Sequence, residues 1–566
     1  MNPGDEQQRD QNAFCAKKST QEIDGWRVRL YFWTRNPHIL FWAAALIIGA
    51  GVLFGYLQQA KEPADRIAVA MERLRKLVHA QTDGRRGNEH ANITDELRKA
   101  KPDLGRILTA LGRANAYDPT AAGEVTRALQ LAKMDSAERN LAMAYWQSLC
   151  SHLGEPGADL LYYAILPKPP AHANELVGDF LRAEPGKMER ALGHYERELA
   201  VNPQNEQLRR KILGICWMKK DMAALAKLRK DPAYANLFDP ASGLQISMRQ
   251  HEWGGVWSSL LAMQKENFSD KIPLILTGVA GAVWLLLAWQ MGQPRGPFSF
   301  AIWAPLIAIP LGALSTLPVL FLDVYQSEVW GLKHTGLFFQ DCLFFLAGVG
   351  LREELCKLLF FLPLVPVLLW RRNRLEMLLV AGAVGLGFAI EENVSYFRMA
   401  EPANAFGRFL TANFFHFAAT GVIGLSFCDT LRDFKSKWWH FPCTFLAVVA
   451  AHGFYDAFLS VPAYLFMALG LSCFILLSLF FFRQVARERG PATDQIFPAA
   501  TLILGLSVLV ATIIACASLE YGLKFALGAV AQGGVSLGVF VYMFFVLFRD
   551  GLQEEQEIKL PATDYA

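Results

Sequence analysis

Ionisable side chains interrupt four long apolar stretches in the C-terminal half of this chain. They lie in the segments Arg352-Glu353-Glu354-Leu355-Cys356-Lys357, Glu391-Glu392-Asn393, Asn413-Phe414-Phe415-His416 and His452-Gly453-Phe454-Tyr455-Asp456. A charged side chain near the centre of a bilayer costs roughly 2.5–3.5 kcal/mol on insertion scales. We therefore expect these groups to pair with one another, to face a wet cavity, or to take part in chemistry.

The spacing within two of these segments places ionisable groups on common helix faces. Lys357 follows Glu354 by three residues and Glu353 by four, and Asp456 follows His452 by four. Residues three or four apart are neighbours on a helix surface. The ammonium group of Lys357 is therefore expected to offset the charge of the glutamate pair and to keep one carboxylate ionised as a base. Asp456 is expected to orient the imidazole of His452.

Two hydrolytic chemistries fit these residue types. In the first, a glutamate activates water, and His416 and His452 stabilise the oxyanion of a peptide-bond intermediate. Asn393 and Asn413 are candidate amide donors for the same oxyanion. In the second, His416, His452 and the carboxylate of Asp456 hold a metal ion, for which zinc is suited, and its bound water attacks. The spacing alone leaves both chemistries open.

The elements that must position these groups are expected to be membrane helices. Of 566 residues, 53% are hydrophobic, with 40 Phe and 14 Trp, and the mean hydropathy is +0.22. The lipid bilayer is therefore the expected surrounding, whereas a formal net charge of +3 is too small to indicate a nucleic-acid partner. Cys150 and Cys216 follow the first apolar helix in a polar region, where they fit either a disulfide outside the cytoplasm or two buried thiols.

Hydropathy divides the chain into successive parts. We predict a polar tail over 1–37, a transmembrane anchor over 38–57, a helical soluble domain over 58–271, a polytopic membrane domain over 272–547 and a polar tail over 548–566. Within the soluble domain, the stretch from Ala191 to Asn205 has the small-large-aromatic spacing and the Asn-Pro turn of a tetratricopeptide-like helix pair. A plain helical bundle is the alternative.

Basic loops predict how the membrane domain is oriented, because arginine and lysine favour the cytoplasmic side. They lie at 371–374, 432–437 and 483–489. These loops share one side if the N-terminus is cytoplasmic and 336–370 crosses once, with 336–347 as a re-entrant or interfacial segment or the end of a tilted helix. This topology places 58–271 outside the cytoplasm. It also places the ionisable groups in one layer, roughly 16–26 Å above the cytoplasmic edge.

The order and spacing of the ionisable segments match those of a known family. The matching residues are Glu353-Glu354-Leu355-Cys356-Lys357, Glu391-Glu392-Asn393, His416 followed by Thr420-Gly421, and His452 with Asp456. Over roughly residues 335–460, the chain resembles the PrsW family of intramembrane proteases, which is related to the type II CAAX prenyl endopeptidases. Ala412 departs from the CAAX-type pattern, which has Phe at that position.

The resemblance implies a polytopic protease that cuts membrane-anchored substrates such as anti-sigma factors. It also implies that a glutamate of the first segment activates water. Members of the family are often described as metalloproteases, whereas the related prenyl endopeptidases resemble glutamate proteases.

These observations together predict an all-α polytopic membrane helix bundle of about ten helices, with an inserted helical, tetratricopeptide-like extramembrane domain. The predicted function is hydrolysis of peptide bonds in membrane-anchored proteins, in a bacterial-type inner membrane. The predicted site comprises the catalytic residues Glu353, Glu354, His416 and His452, the supporting residues Lys357, Glu391, Glu392, Asn393 and Asp456, and the metal ligands His416, His452 and Asp456. A non-catalytic scaffold or receptor and a proton-coupled carrier are the alternatives, because both would use the same buried charges.

Overall fold

The protein is helical in two separate units. The computed structural model describes residues 30, 32–59, 103–113, 119–151, 155–293, 298–399, 402–461, 464–489 and 498–548. Every regular element within these residues is helical, which confirms the predicted all-α class. One compact unit comprises residues 71–256, and the other comprises residues 1–70 with 257–566. Most of the tails predicted at 1–37 and 548–566 lies outside the described residues.

Short helices fill the described part of the chain up to residue 267. They are α1 (Pro37–Gln59), α2 (Leu104–Arg113), α3 (Pro119–Leu131), α4 (Ser136–Cys150), α5 (Ala158–Ile165), α6 (Ala173–Ala183), α7 (Met188–Val201), α8 (Glu206–Met218), α9 (Met222–Lys230), α10 (Pro232–Ala235), α11 (Pro240–Arg249) and α12 (Trp253–Asn267). Aspartate side chains at Asp135, Asp221 and Asp239 accept hydrogen bonds from the first free N–H groups of α4, α9 and α11. Such N-caps set where these helices begin.

The helix pair predicted from the Asn-Pro turn is present in residues 71–256. Helices α7 and α8 are joined through Asn202, and Asn205 caps α8 by accepting a hydrogen bond from the backbone N–H of Leu208 at 3.0 Å. Gly178 of α6 lies against the ring of Tyr195, where a Cβ atom would come within 2.4 Å of the aromatic carbons. The tetratricopeptide-like assignment itself stays a prediction. Cys150 and Cys216 are both free thiols.

A polar network joins α6 to α8 beside a groove of about 1120 Å³. The carboxylate of Glu175 accepts hydrogen bonds from Lys211 at 2.7 Å and from Asn205 at 2.8 Å, and it lies 2.8 Å from Nδ1 of His172. Burial opposes ionisation of Glu175, but the contacts with His172 and Lys211 outweigh it and lower its pKa to about 2. The same hydrogen bond raises the pKa of His172, against a smaller opposing effect of burial.

Longer helices follow in the remaining part of the chain. They are α13 (Lys271–Gly292), α14 (Phe300–Leu314), α15 (Thr316–Glu328), α16 (Phe338–Leu343), a π-helix (Phe344–Gly350), α17 (Leu351–Phe361), a 3₁₀ turn (Leu362–Leu364), α18 (Val365–Arg371), α19 (Arg374–Met399), α20 (Pro402–Arg432), α21 (Phe434–Lys437), α22 (His440–Leu459), α23 (Tyr464–Arg489), α24 (Pro498–Tyr521) and α25 (Leu523–Phe548). Together with α1 they form the membrane unit.

Eight helices among the described residues are long and apolar enough to cross a bilayer. They are α1, α13, the pair α14 and α15, α19, the part of α20 from Thr411 to Arg432, α22, the part of α23 from Ala468 to Arg489, and α24. Helix α25 lies at the end of the predicted polytopic domain. The stretch 336–370, which was predicted to cross once, contains a helical run from Phe338 to Arg371 that the π-helix and the 3₁₀ turn interrupt. The chain is therefore a multi-pass membrane protein.

Helix α19 lies at the centre of the membrane unit because glycines let its neighbours approach closely. A Cβ atom on Gly385 would lie 2.1 Å from the carbonyl oxygen of His416 in α20. On another face, a Cβ atom on Gly387 would lie 1.9 Å from the carbonyl oxygen of Ile309 in α14. Small residues that allow such backbone approach are typical of membrane helix interfaces. The glycines thereby fix the position of the His416 backbone.

The π-helix and α22 form a second close contact. A Cβ atom on Gly350 would lie 2.8 Å from the carbonyl oxygen of Val449, and one on Gly453 would lie 2.7 Å from the Cα atom of Leu346. Gly350 immediately precedes the segment with Glu353 and Glu354, and Gly453 follows His452. Paired glycines therefore bring the histidine of α22 next to the glutamates of α17.

Candidate active site

Lys357 lies at the centre of a buried cluster formed by the four helices α17, α19, α20 and α22. Its Nζ atom is 2.9 Å from Oε1 of Glu354, 3.3 Å from Oε2 of Glu353 and 2.8 Å from Nδ1 of His416. It also lies 3.9 Å from the ring centroid of Phe388. The side chain of Lys357 has no exposed surface. One ammonium group therefore compensates two buried carboxylates and orients an imidazole.

The two adjacent glutamates differ in how fully their carboxylates are engaged. Glu354, which is completely buried, accepts from Lys357, from Nδ1 of His452 at 2.9 Å and from Oγ1 of Thr420 at 3.2 Å. Glu353 accepts only the longer 3.3 Å contact from Lys357, and its Oε2 lies 3.6 Å from Nε2 of His452. Glu354 is thus held by three donors, whereas Glu353 retains free acceptor capacity.

His416 uses both ring nitrogens. Because an ammonium group carries donors only, Nδ1 of His416 accepts from Lys357, which assigns the ring proton to Nε2. That Nε2–H group donates to Oε2 of Glu392 at 2.9 Å. The imidazole therefore joins Lys357 to Glu392.

His452 has the opposite tautomer. Its Nδ1 lies 2.9 Å from the carboxylate of Glu354, which can only accept, so Nδ1 carries the proton. In the neutral ring, Nε2 then holds a lone pair that lies 3.6 Å from Glu353 and 3.4 Å from Oδ2 of Asp456. The other three ring nitrogens of His416 and His452 have partners at 2.8–2.9 Å within the described cluster. Nε2 of His452 is therefore the ring nitrogen that can bind a small ligand without losing such a hydrogen bond.

Arg408, which the sequence analysis missed, extends the cluster. Its guanidinium group donates to Glu392 at 2.8 Å and to Oδ1 of Asn393 at 3.4 Å, and it stacks 3.7 Å above the ring of Tyr396. Its side chain is 22% exposed, unlike the fully buried Lys357. The available signal was an arginine in the first half of α20, eight residues before His416. Phe388 was also missed, and nothing in the sequence distinguishes it from the other apolar residues of α19.

Three further predicted residues, Asn393, Asn413 and Glu391, have partners outside the contacts of Lys357. Asn393 donates to Oδ1 of Asn413 at 3.3 Å, and Asn413 donates to the carbonyl oxygen of Phe409. Glu391 accepts from Ser395 at 3.4 Å. Consecutive helical residues point about 100° apart, so Glu391 and Glu392 face different neighbours.

Three of these side chains form a group that suits a metal ion. Ligand atoms of Glu353, His416 and His452 all lie within 4.8 Å of one another, and all three residues are buried. Two histidines and a carboxylate are donors that zinc prefers, so the set fits in residue type and proximity. Glu353 thus stands in this group where the sequence analysis expected Asp456. To coordinate a metal, His416 would have to release Lys357 or Glu392.

Comparison with known proteins identifies the part of the chain that holds this cluster. Residues 300–483 match the family model described as PrsW family intramembrane metalloprotease. No curated protein and no solved structure matches the chain significantly. The matched range contains all four ionisable segments and the helices α14 to α23 that position them. The residues, their buried arrangement and the family model therefore agree that residues 300–483 are similar to the PrsW family of intramembrane proteases.

Proposed function

We propose that this protein hydrolyses peptide bonds of membrane-anchored proteins with water that Glu353 activates. The observation that supports Glu353 over Glu354 is the difference in their partners. Glu354 already accepts from three donors, whereas Glu353 accepts only from Lys357 among the described residues and lies 3.6 Å from Nε2 of His452. A water molecule between them would donate one O–H to Glu353 and the other to His452. Both acceptors are then placed to orient its lone pair toward a substrate carbonyl.

The proton and bond changes follow from this arrangement. Glu353 takes a proton from water while the oxygen attacks the carbonyl carbon. It then returns that proton to the nitrogen as the C–N bond breaks. Lys357 keeps Glu354 ionised, so that Glu354 can hold the tautomer of His452. We assign oxyanion stabilisation to Arg408, because two of its five N–H groups suffice for Glu392 and Asn393.

A metal-assisted variant of the same reaction is the second candidate. It is favoured by the proximity of Glu353, His416 and His452 and by the description of the matching family. These three residues would hold the ion, zinc being the one their donors suit, and the ion would polarise the water. Release of Lys357 or Glu392 from His416 would accompany binding. Metal content of the purified protein, and cleavage before and after chelation, distinguish the two candidates.

We also propose the substrate class and location. A buried cluster within membrane helices suits the hydrolysis of single-span proteins, of which anti-sigma-factor-like proteins are one class. The basic loops support a bacterial inner membrane orientation with residues 58–271 outside the cytoplasm. The groove in residues 71–256 would there capture the extramembrane part of a substrate.

The test is cleavage of co-expressed single-span proteins in native membranes. We would compare the wild type with Glu353→Gln, Glu354→Gln and His452→Ala at matched expression. Asp433→Asn, which changes an exposed carboxylate in the loop after α20, is the control. Fragments that form with wild type and the control, and vanish in the three variants, would support the proposal.

Other outcomes favour the alternatives. If the three variants cut normally, or no fragment forms across a broad panel, the catalytic proposal fails. A scaffold or receptor would then retain its function in all variants. A proton-coupled carrier would instead show a pH-dependent flux that the same variants abolish.

A further inference from the structure

A second cavity lies far from the Lys357 cluster. It has a volume of about 500 Å³ and is enclosed by the beginning of α19, the end of α20, the beginning of α22 and the end of α23. Asp429 of its wall lies 13 residues along α20 from His416, and His440 lies 12 residues along α22 from His452. At 1.5 Å per residue these separations are about 18–20 Å, so the cavity is a distinct site.

The charges of the cavity wall leave two cations for a ligand. Arg374 donates to Glu488 at 2.9 Å and also pairs with Asp429, so one guanidinium group contacts both acids and balances one of their two charges. Lys437 and Arg487 line the same cavity. Among the described residues, neither side chain forms a hydrogen bond or an ion pair within bonding distance. The wall therefore carries a positive charge that an anion would neutralise.

A buried acceptor completes this wall. Oε1 of Gln484 is buried, has no hydrogen-bond partner among the described residues, and belongs to the cavity lining. A buried polar atom without a partner has lost its hydrogen bonds to water, so a ligand that donates to it gains affinity. The side chains of Ser426 and His440 bond to each other at 3.0 Å and do not supply that donor.

The surroundings of the cavity indicate the headgroup level of a membrane. Trp438 and Trp439 follow Lys437 and are 60% and 52% exposed. Exposed tryptophans beside basic residues are typical of the interface between lipid tails and water. Basic cavities between membrane helices at this level bind anionic lipid headgroups.

We propose that this cavity binds the phosphate of an anionic phospholipid, with Lys437 and Arg487 as its counter-ions. Oε1 of Gln484 accepts from a hydroxyl group of the headgroup, as phosphatidylglycerol would provide. The bound lipid links α21, which lies between α20 and α22, to α23. A soluble phosphate compound shares the same chemistry, and the experiment distinguishes the two sources. The proposal does not depend on the proposed function, because binding is measured directly.

The experiment measures thermal unfolding of the delipidated full-length protein in detergent. Phosphatidylglycerol, phosphatidylcholine or inorganic phosphate is titrated in. The test variant is Lys437→Gln with Arg487→Gln. The matched control is Lys435→Gln with Arg483→Gln, which removes equal charge from exposed side chains on the same face outside the cavity. Arg487→Gln alone, at an exposed side chain, serves if the double variant does not fold.

We expect phosphatidylglycerol to raise the unfolding temperature of wild type and control, and phosphatidylcholine to do so much less. The test variant should need about tenfold more phosphatidylglycerol for half of the effect. An equal loss in both double variants would mean general surface attraction and would overturn the proposal. Equal effects of both lipids would also overturn it. Stabilisation by inorganic phosphate alone would overturn the lipid source and assign the cavity to a soluble phosphate compound.

Discussion

Lys357 connects charge compensation to histidine orientation through one nitrogen atom. It contacts Glu353, Glu354 and His416 while its own side chain is fully buried. A positive charge in such a place is stable only because the carboxylates surround it. Lys357 therefore stabilises the fold, and this role can be measured separately from cleavage by combining a substitution of Lys357 with one of Glu354.

Lys357→Met is expected to destabilise the membrane unit by about 3–5 kcal/mol, because it leaves two buried carboxylates without their cation. Adding Glu354→Gln should recover part of that loss while cleavage remains absent, because the tautomer of His452 is no longer held. Thermal unfolding and the cleavage assay on the two variants measure both effects. Lys333→Met, at an exposed lysine, is the control. If Lys357→Met were as stable as wild type, Lys357 would not be needed to compensate the buried carboxylates.

The network of Glu175 and His172 predicts a pH window for residues 71–256. The pKa of Glu175 is lowered from 4.5 to about 2, so its contribution is present above pH 4.5 and lost as pH falls towards 2. The pKa of His172 is raised above 6.5, so its contribution is present below 6.5 and lost as pH rises past the folded value. Both contributions are complete only between pH 4.5 and 6.5.

Hydrogen exchange of the α6 amides, corrected for intrinsic rates, measures this window in the full-length protein. The opening free energy should be greatest inside the window, fall by on the order of 1–2 kcal/mol on the acid side, and fall also on the alkaline side. Glu175→Gln should flatten the profile. A profile that is the same for Glu175→Gln and wild type would exclude this pair as the cause.

At the residue scale, the sequence predicted the contacts within one helix and did not predict those between helices. Helical spacing predicted the contact of Lys357 with both glutamates and that of His452 with Asp456. Spacing could not show that Glu392 bonds to His416 and Arg408, because those contacts cross between helices. Nor could it show that Asn393 and Asn413 bond to each other.

At the scale of elements, the close contact between α19 and α20 is possible because Gly385 has no side chain. Gly385→Ala would place a methyl group 2.1 Å from the carbonyl oxygen of His416, so the two helices must separate. We expect a loss of about 1–3 kcal/mol in stability and a larger proportional loss of cleavage. Gly278→Ala, where a Cβ atom meets nothing within 4 Å, should be neutral or slightly stabilising. Equal behaviour of the two variants in thermal unfolding and cleavage would refute the argument.

Helix positions were largely predictable from hydropathy, and their interruptions were not. The polytopic domain predicted over 272–547 contains α19 and α22, whose first residues are basic or follow exposed aromatic residues. The sequence left open whether 336–347 is re-entrant, interfacial or the end of a tilted helix. The π-helix arises where Gly350 and Gly453 bring two backbones together, and such tertiary contacts have no local pattern.

At the scale of the whole molecule, the order of helices predicts which loops share a side of the membrane. If the run from Phe338 to Arg371 crosses once, the basic loops at 371–374, 432–437 and 483–489 lie together on the cytoplasmic side. Residues 58–271 and the loop at Gly331 then lie on the other side. Composition predicted the division into helical units, but no local signal reports sidedness except the distribution of charge.

Insertions of alkaline phosphatase into the full chain test this arrangement. The enzyme should be active when inserted at Glu155 or Gly331 and inactive at Ser436, because it folds only outside the cytoplasm. A fluorescent protein inserted at the same positions should give the reverse pattern. Phosphatase activity at Ser436, or its absence at Glu155, would contradict the predicted orientation.

The π-helix also determines which way the side chains of the following helix, α17, point around its axis. Between Phe344 and Gly350, each turn takes about one residue more than an α-helix would, so every later side chain is rotated by roughly 100° relative to an uninterrupted helix. Without that extra residue, Glu353, Glu354 and Lys357 would face a different neighbour. The orientation of Glu353, Glu354 and Lys357 thus depends on the one extra residue that the π-helix contains before them. Deleting one residue there would turn all three side chains away from their partners without changing any of the three.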